Sequence, residues 1–479
     1  GMVNISGSTW LSRHVDFLLA QQHQRSRWYI GGQWTDRMRK SDFDQEKKTV
    51  VGDQTTTSHS VGPRTGDSYH YTLKGGWSLN LPKTTIALDL EGGYGGNKRK
   101  GEMNYKETRS VAGGSPVTED YRSIDDYDND ENIGLGSLAV QHKFNDKGHE
   151  LSGSAYYKYG GHALEGQRQQ GHRAYEAEHR ETMRINLDYA LPFGKGGKLE
   201  AGYQYYSYLE DGDYNMEWWD PKGQTFFWRD DIYNTFYFQE GVNSIYTILS
   251  HTWKNLEAQA GVRGEHTHTV LRSSVEGADR TKNRFEFFPS VHLGYTFPNE
   301  HRLLASYSRR TTRPQLFYME PYITYRDFYT AEIGNPDIRP EYINSFELNY
   351  RKNFGENTVS ATAFHRYRKD KIERLRVPYS AGVTLDSMSN VGHDYSTGIE
   401  LSVSLHPVRW WNTTVNGNVY HYKVKNEQAA GGNTTSSTNY DILWNNLFNL
   451  GKYTRIQLDG SFVGPSVTTQ GRTDAYWYA

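Results

Sequence analysis

The sequence predicts an all-β chain: a large antiparallel transmembrane β-barrel with short periplasmic turns and long extracellular loops. Three observations point there. Short segments alternate apolar and polar side chains, connections alternate between very short and long, and aromatic residues abound in a chain that is polar overall. The 479 residues include 37 Tyr, 12 Trp and 19 Phe, yet the mean hydropathy is -0.83, a combination rare in soluble globular proteins. No stretch approaches the roughly 18 consecutive apolar residues that a membrane helix needs. A closed barrel is the remaining way to span a bilayer, because it satisfies every backbone polar group internally.

The strands come first. Alternation with a period of two puts one set of side chains on each face of a sheet. In 184–189, Ile185, Leu187 and Tyr189 oppose Arg184, Asn186 and Asp188. In 345–351, Phe346, Leu348 and Tyr350 oppose Ser345, Glu347, Asn349 and Arg351. In 398–405, Ile399, Leu401, Val403 and Leu405 oppose Glu400, Ser402 and Ser404, and 455–462 repeats the scheme with Ile456, Leu458 and Phe462. One face suits hydrocarbon and the other suits water.

The connections follow. Short turns fall at 80–83, 145–148, 191–197, 254–255, 298–300, 354–356 and 406–409, where Asn, Gly, Pro and Asp supply the dihedral angles of tight hairpins. Between them lie long polar stretches, 36–68, 95–131, 160–178, 210–241, 269–282, 311–342, 369–395 and 425–439, expected to be loops. All short connections then fall at one rim and all long ones at the other, the asymmetry of bacterial outer-membrane barrels. A propeller or a string of sandwiches does not force every second connection to be long. Trp10, Trp28, Tyr29, Trp77, Trp253, Trp410 and Trp411 lie near strand ends, where interfacial girdles are expected; β-propensity and packing would also account for any one of them.

Counting segments gives about 18 to 20 strands, and barrels of about 22 strands are the plugged transporters. Residues 1–8 are expected to be the end of a plug or its linker and residues 9–479 the barrel, incomplete at its C-terminal end. The formal net charge of -2 gives no footprint for nucleic acid, and with no cysteine there is no disulfide or thiolate site.

The stretch 306–322 reads SYSRRTTRPQLFYMEPY, and from Gly334 the chain continues GNPDIRPEYINSFELNYRKNFG. This resembles the TonB-dependent receptors, particularly the barrel family common in Bacteroidota-type bacteria. There a strand ending in Ser-x-Arg leads to Arg-Pro, then to Gly-Asn-Pro-x-Leu-x-Pro-Glu, then to an Asn-x-Glu-Leu-x-Tyr strand. The matching residues are Ser308, Arg310, Arg313, Pro314, Gly334, Asn335, Pro336, Arg339 with Ile338 in the leucine position, Pro340, Glu341, Asn344 or Ser345, Glu347, Leu348 and Tyr350. The opening Gly1-Met2-Val3-Asn4-Ile5 is similar to the family's plug terminus. The resemblance implies an outer-membrane location, lipid around the wall, a plug domain, the TonB energy-coupling complex and an extracellular ligand of unknown identity. It implies no cofactor.

The motif also has a reading free of family knowledge. Pro336 and Pro340 lack a backbone donor and delay pairing, which defines where the next strand begins. Arg309, Arg310 and Arg313 at a strand top suit an anionic ligand through forked contacts, or pair with lumen carboxylates. Trp218, Trp219 and Trp228, with Phe226 and Phe227, form the densest aromatic loop cluster, suited to a sugar or aromatic ligand or to packing between loops. The acidic run 125–131 lacks the ligand spacing and turn glycine of a calcium loop and is expected to be a solvated loop. His266 and His268 share a strand face without a third ligand, so no metal site is expected.

No nucleophile elbow, phosphate-cradling loop or zinc-protease helix is present, so the expectation is not an enzyme. The functional expectation is a receptor barrel importing a scarce or large nutrient, such as an iron chelate, vitamin, oligosaccharide or peptide. Two alternatives stand beside it: a surface-exposed binding or scaffold barrel without transport, and an outer-membrane hydrolase.

Overall fold

A computed structural model describes residues 1–8, 11–51, 53–168, 172–220, 222–229, 232–327, 330–380, 383–428, 432–469 and 471–478. Trp10, expected in a girdle, lies outside these residues. Among the described residues, one sheet of 23 strands holds nearly all of the chain. Three of them, Thr225–Trp228, Ile323–Asp327 and Thr330–Ile333, belong to the extracellular side, which leaves twenty in the wall. Each wall strand pairs antiparallel with its neighbour in sequence, from Met2–Gly7 against Arg13–His23 to Thr454–Val463 against Tyr476–Tyr478. The stretch 1–8, read from sequence as a plug tail, thus contributes a strand, with Met2 opposite Leu18 and Gly7 opposite Arg13.

Alternation dictates the faces. Leu348 is 47% exposed and Leu401 46% exposed, both on the outside. Their sequence neighbours Glu347 and Glu400 turn inward and share Arg366, at 3.3 and 3.1 Å. A row of bare aliphatic side chains is favourable only against lipid, and an inward charge only in a wet lumen. The expected tight turns are present. Lys254 (φ 50°) and Gly355 (φ 58°) take the left-handed conformation that two-residue hairpins require. Trp28, Trp77, Trp253 and Trp410 are exposed beside these turns and form the periplasmic girdle. Tyr29 instead faces inward, where its hydroxyl donates to Asp89 at 2.6 Å.

Apart from 311–342, the long stretches are mostly strand and not loop. Strands such as Ser26–Val51, Gln54–Asn80, Thr84–Val111 and Val117–Lys143 run 26 to 28 residues, whereas about ten cross the bilayer. Hairpin pairing simply continues into water, because cross-strand contacts and hydrogen bonds do not require lipid. The acidic run lies on one of these strands, with Asp128 facing Lys98 at 2.7 Å and Asp126 facing Lys100 at 3.7 Å, so it is a cross-strand ion ladder and not a solvated loop. The extensions also meet across the mouth: Lys47 Nζ donates to Thr330 at 3.2 Å and Thr384 at 3.3 Å, residues hundreds of positions away.

One seam interrupts the wall. Arg280–Phe297 pairs with His301–Thr312 only up to Ser290 opposite Ser308, next to Pro289, which has no N–H to give. Above that point Arg280 clasps Asp337 at 2.7 and 2.9 Å and Lys282 donates to the Pro336 carbonyl at 2.7 Å. The chain segment carrying the Asn-Pro-Asp motif therefore lies along a strand edge that would otherwise be bare.

Candidate ligand site in the lumen

Strands place inward side chains two residues apart, and three neighbouring strands converge near the extracellular mouth. Gly197–Asp220 supplies Tyr206, Tyr208 and Glu210, His172–Phe193 supplies Glu178 and Arg180, and Asn234–Trp253 supplies Phe238 and Glu240. The remaining wall of this cavity of about 440 Å³ is Pro314, Gln315, Leu316, Phe317 and Glu320, from the segment following the strand His301–Thr312.

That segment enters the barrel because it carries an apolar run. Leu316, Met319 and Tyr322 are buried with Tyr214, Met216, Phe236, Phe238, Leu271 and Ile338. This cluster gives the hollow barrel a local core that fixes the segment through a 3₁₀ turn, Leu316–Tyr318. Gly334 completes the fastening: its N–H donates to the Glu320 carbonyl at 2.7 Å, and an added Cβ would stand 2.4 Å from the Glu320 nitrogen.

The electrostatics of the cavity are mixed, with acid in excess. Arg180 bonds Glu178 and reaches Glu210 at 2.5 Å, while Tyr208 donates to Glu210. Arg313 binds Glu265, stands 3.9 Å from Glu240 and donates to Thr267 at 3.3 Å. Glu320 lies in the inward segment, beyond the wall. Burial, reinforced by the charges of Glu178 and Glu210, pushes its carboxyl up to about 8. The arrangement offers donors, acceptors and aromatic faces around a wet space, which suits binding; His266 and His268 play no part, since His266 stacks on Phe285 and His268 meets Asn283.

The sequence-derived candidates are dispersed. Arg309 and Arg310, adjacent on a strand, take opposite faces: Arg309 lies 5.3 Å over the Tyr342 ring, and Arg310 is exposed on the lumen side with Ser308. Arg313 anchors the wall below the cavity, and Pro314 lines the cavity. Asn335 accepts from the Asp337 N–H at 2.9 Å, Pro340 is fully buried, and Glu341 accepts from the Ile372 N–H at 2.7 Å. Trp218 turns inward, its indole N–H 3.0 Å from the Met216 sulfur, whereas Trp219 and Trp228 turn outward. Sequence reasoning missed Glu178, Arg180, Tyr208, Glu210, Glu240 and Glu320. The available signal was the run Leu316-Phe317-Tyr318-Met319, too oily for a loop in water.

A lipid-facing apolar band, a polar lumen and a ligand-sized cavity under an inward-folded segment define an outer-membrane β-barrel. The chain belongs to the outer membrane protein beta-barrel family, whose profile matches residues 142–479. Solved structures share the fold at low identity. The ferric yersiniabactin uptake receptor FyuA from Yersinia pestis has a TM-score of 0.63 at 14% identity, covering 99% of this chain and 70% of that one. The copper transporter OprC has a TM-score of 0.66 at 12% identity, covering 100% and 71%. The FrpB iron transporter from Neisseria meningitidis (F3-3 variant) has a TM-score of 0.63 at 10% identity, covering 99% and 72%. No curated protein sequence matches this one.

Proposed function

We propose that the chain is the barrel of a TonB-dependent receptor that takes up a scarce or large nutrient across the outer membrane. The observation that carries this reading is the mouth cavity of about 440 Å³, built by three wall strands and the inward segment 313–322. A general diffusion pore needs no such pocket, whereas a receptor must hold its cargo from dilute solution. Structures with this fold include an uptake receptor, a copper transporter and an iron transporter, which agrees with a binding and transport role in place of catalysis. A plug domain and the TonB complex are the partners this reading requires. A ligand would enter between the tall hairpins, meet Arg180, Glu240 and the Tyr206 and Tyr208 rings, and displace water from them.

The test is calorimetric titration of the chain in detergent with ferric chelates, cobalamin-type vitamins, oligosaccharides and peptides. One class should bind saturably, and Arg180→Ala or Glu240→Gln should weaken it at least tenfold. Saturable binding that neither variant alters would place the site elsewhere, and absence of binding across all four classes would favour a scaffold barrel.

A further inference from the structure

The strand Gly197–Asp220 changes character along its outward positions. Tyr203 and Tyr205 face lipid beside Leu187 and Ile185. Asp211, Asp213 and Asn215 come next, and then Glu217 and Trp219. Directly across the terminal hairpin stand Trp228 and Phe226, and the neighbouring strand adds Arg173 and Tyr175 on the same outer side. Leu209 is the last apolar outward residue before this patch, and Trp219 is ten residues further. At about 3.3 Å per residue and a tilt of about 40°, the patch stands roughly 25 Å above the apolar band. That height is beyond an interfacial girdle, and among the described residues no other element covers these rings: Trp219 is 37% and Trp228 49% exposed.

The patch is built for flat, hydroxyl-bearing rings. Trp219 meets Phe226 at 5.0 Å and Tyr175 meets Trp228 at 5.2 Å, while the Arg173 guanidinium lies 3.9 Å over Phe226. Between the rings, Tyr175 donates to Glu217 at 3.1 Å and Arg173 stands 3.6 Å from the same carboxylate. Aromatic faces cover the C–H faces of sugar rings, and a carboxylate beside a guanidinium bonds their hydroxyls. An apolar protein surface would instead strip water from Glu217 and Arg173 without replacing it. Because these side chains point away from the lumen, a ligand held here cannot pass into the barrel, so imported cargo is the wrong occupant. What stands beside the wall at this height is the saccharide chain of the outer leaflet's own glycolipid.

We propose that the outer face of this hairpin, through Trp219, Phe226, Trp228, Tyr175, Arg173 and Glu217, binds the sugar chain of outer-membrane lipopolysaccharide and holds the receptor mouth against the surrounding glycolipid. In the test, the full chain in detergent is titrated calorimetrically with deacylated oligosaccharide released from lipopolysaccharide, and in parallel with a linear glucose oligomer. Saturable binding of the former is expected, at least tenfold tighter than the latter. It should fall at least tenfold in the double variant Trp219→Ala/Trp228→Ala and hold in Trp253→Ala at the opposite rim, with thermal unfolding confirming that both are folded. Absence of binding, equal affinity for both sugars, or equal loss in the two variants would overturn the proposal. Nutrient binding in the lumen should survive the double substitution, which separates failure here from failure of the uptake reading.

Discussion

Glu320 shows how a single buried carboxyl makes the mouth respond to pH. Its ordinary value is 4.5, and in the folded segment it is raised to about 8. Below 4.5 the proton is present whether the segment is docked or released, and docking is at full strength. As pH rises toward 8 the released carboxyl ionises while the docked one does not, so docking weakens across that window, and above it a buried charge must be carried. Glu178 and Glu210 reinforce the effect and Arg180 opposes it. Hydrogen exchange over Leu316–Tyr322, corrected for intrinsic rates, should therefore accelerate between about pH 5 and pH 8 in the native chain and stay level in Glu320→Gln. Arg313 makes a second residue-scale case. Substituting Arg313→Met removes the cation 3.9 Å from Glu240, on which Arg284 also acts, and one of the two arginines that pair with Glu265 among the described residues. Leaving buried carboxylates short of partners should cost about 2 kcal/mol, read as a lower urea midpoint in lipid vesicles.

At the scale of the strand, period-two alternation assigns each side chain its solvent. Leu348→Arg or Leu401→Arg forces a charge into hydrocarbon and should cost about 2 to 4 kcal/mol of folding stability in lipid. Glu347→Arg changes a lumen residue, loses its pairing with Arg366 and its acceptance from Ser345, and should cost about 1 kcal/mol. Equal penalties for Leu348→Arg and Glu347→Arg would reverse the assignment of inside and outside. The seam beside Pro289 gives a further prediction. Asp337→Ala removes both prongs of the Arg280 clasp, so amide exchange at 280–289 should rise several-fold while exchange at 291–297, still paired with the next strand, stays unchanged. The strand assignments were legible in the sequence because alternation is a local property. The rise of those strands far above the membrane was not, because polar residues on both faces look alike whether paired or free.

For the whole molecule, hydrocarbon on one side and water on the other decide the fold. The belt of Leu73, Leu90, Ile245, Leu249, Ile399 and Leu458 is more than half exposed, and the buried apolar cluster of the described residues sits at the mouth. The chain should therefore remain folded in detergent or lipid and aggregate on detergent removal, which sedimentation would show directly. A monodisperse, folded species in plain buffer would contradict the barrel.

The sequence by itself determined the barrel class, the side of the membrane on which each kind of connection lies, the tight turns, and a wall of about 18 to 20 strands. All of these follow from side chains repeating every second residue and from turn residues with restricted dihedrals, which are readable over a few positions. Only the tertiary structure decided which residues share a site. Glu178, Tyr208, Glu240 and Glu320 come from four separate stretches, joined by strand register and by an apolar segment that turns into the lumen instead of out to water. It also parted neighbours: Arg309 from Arg310 and Trp218 from Trp219, adjacent in the chain, face opposite sides of the wall. Adjacency along a strand places side chains on opposite faces, so proximity in sequence was the wrong guide, and the curvature that brings distant strands together is a property of the whole sheet.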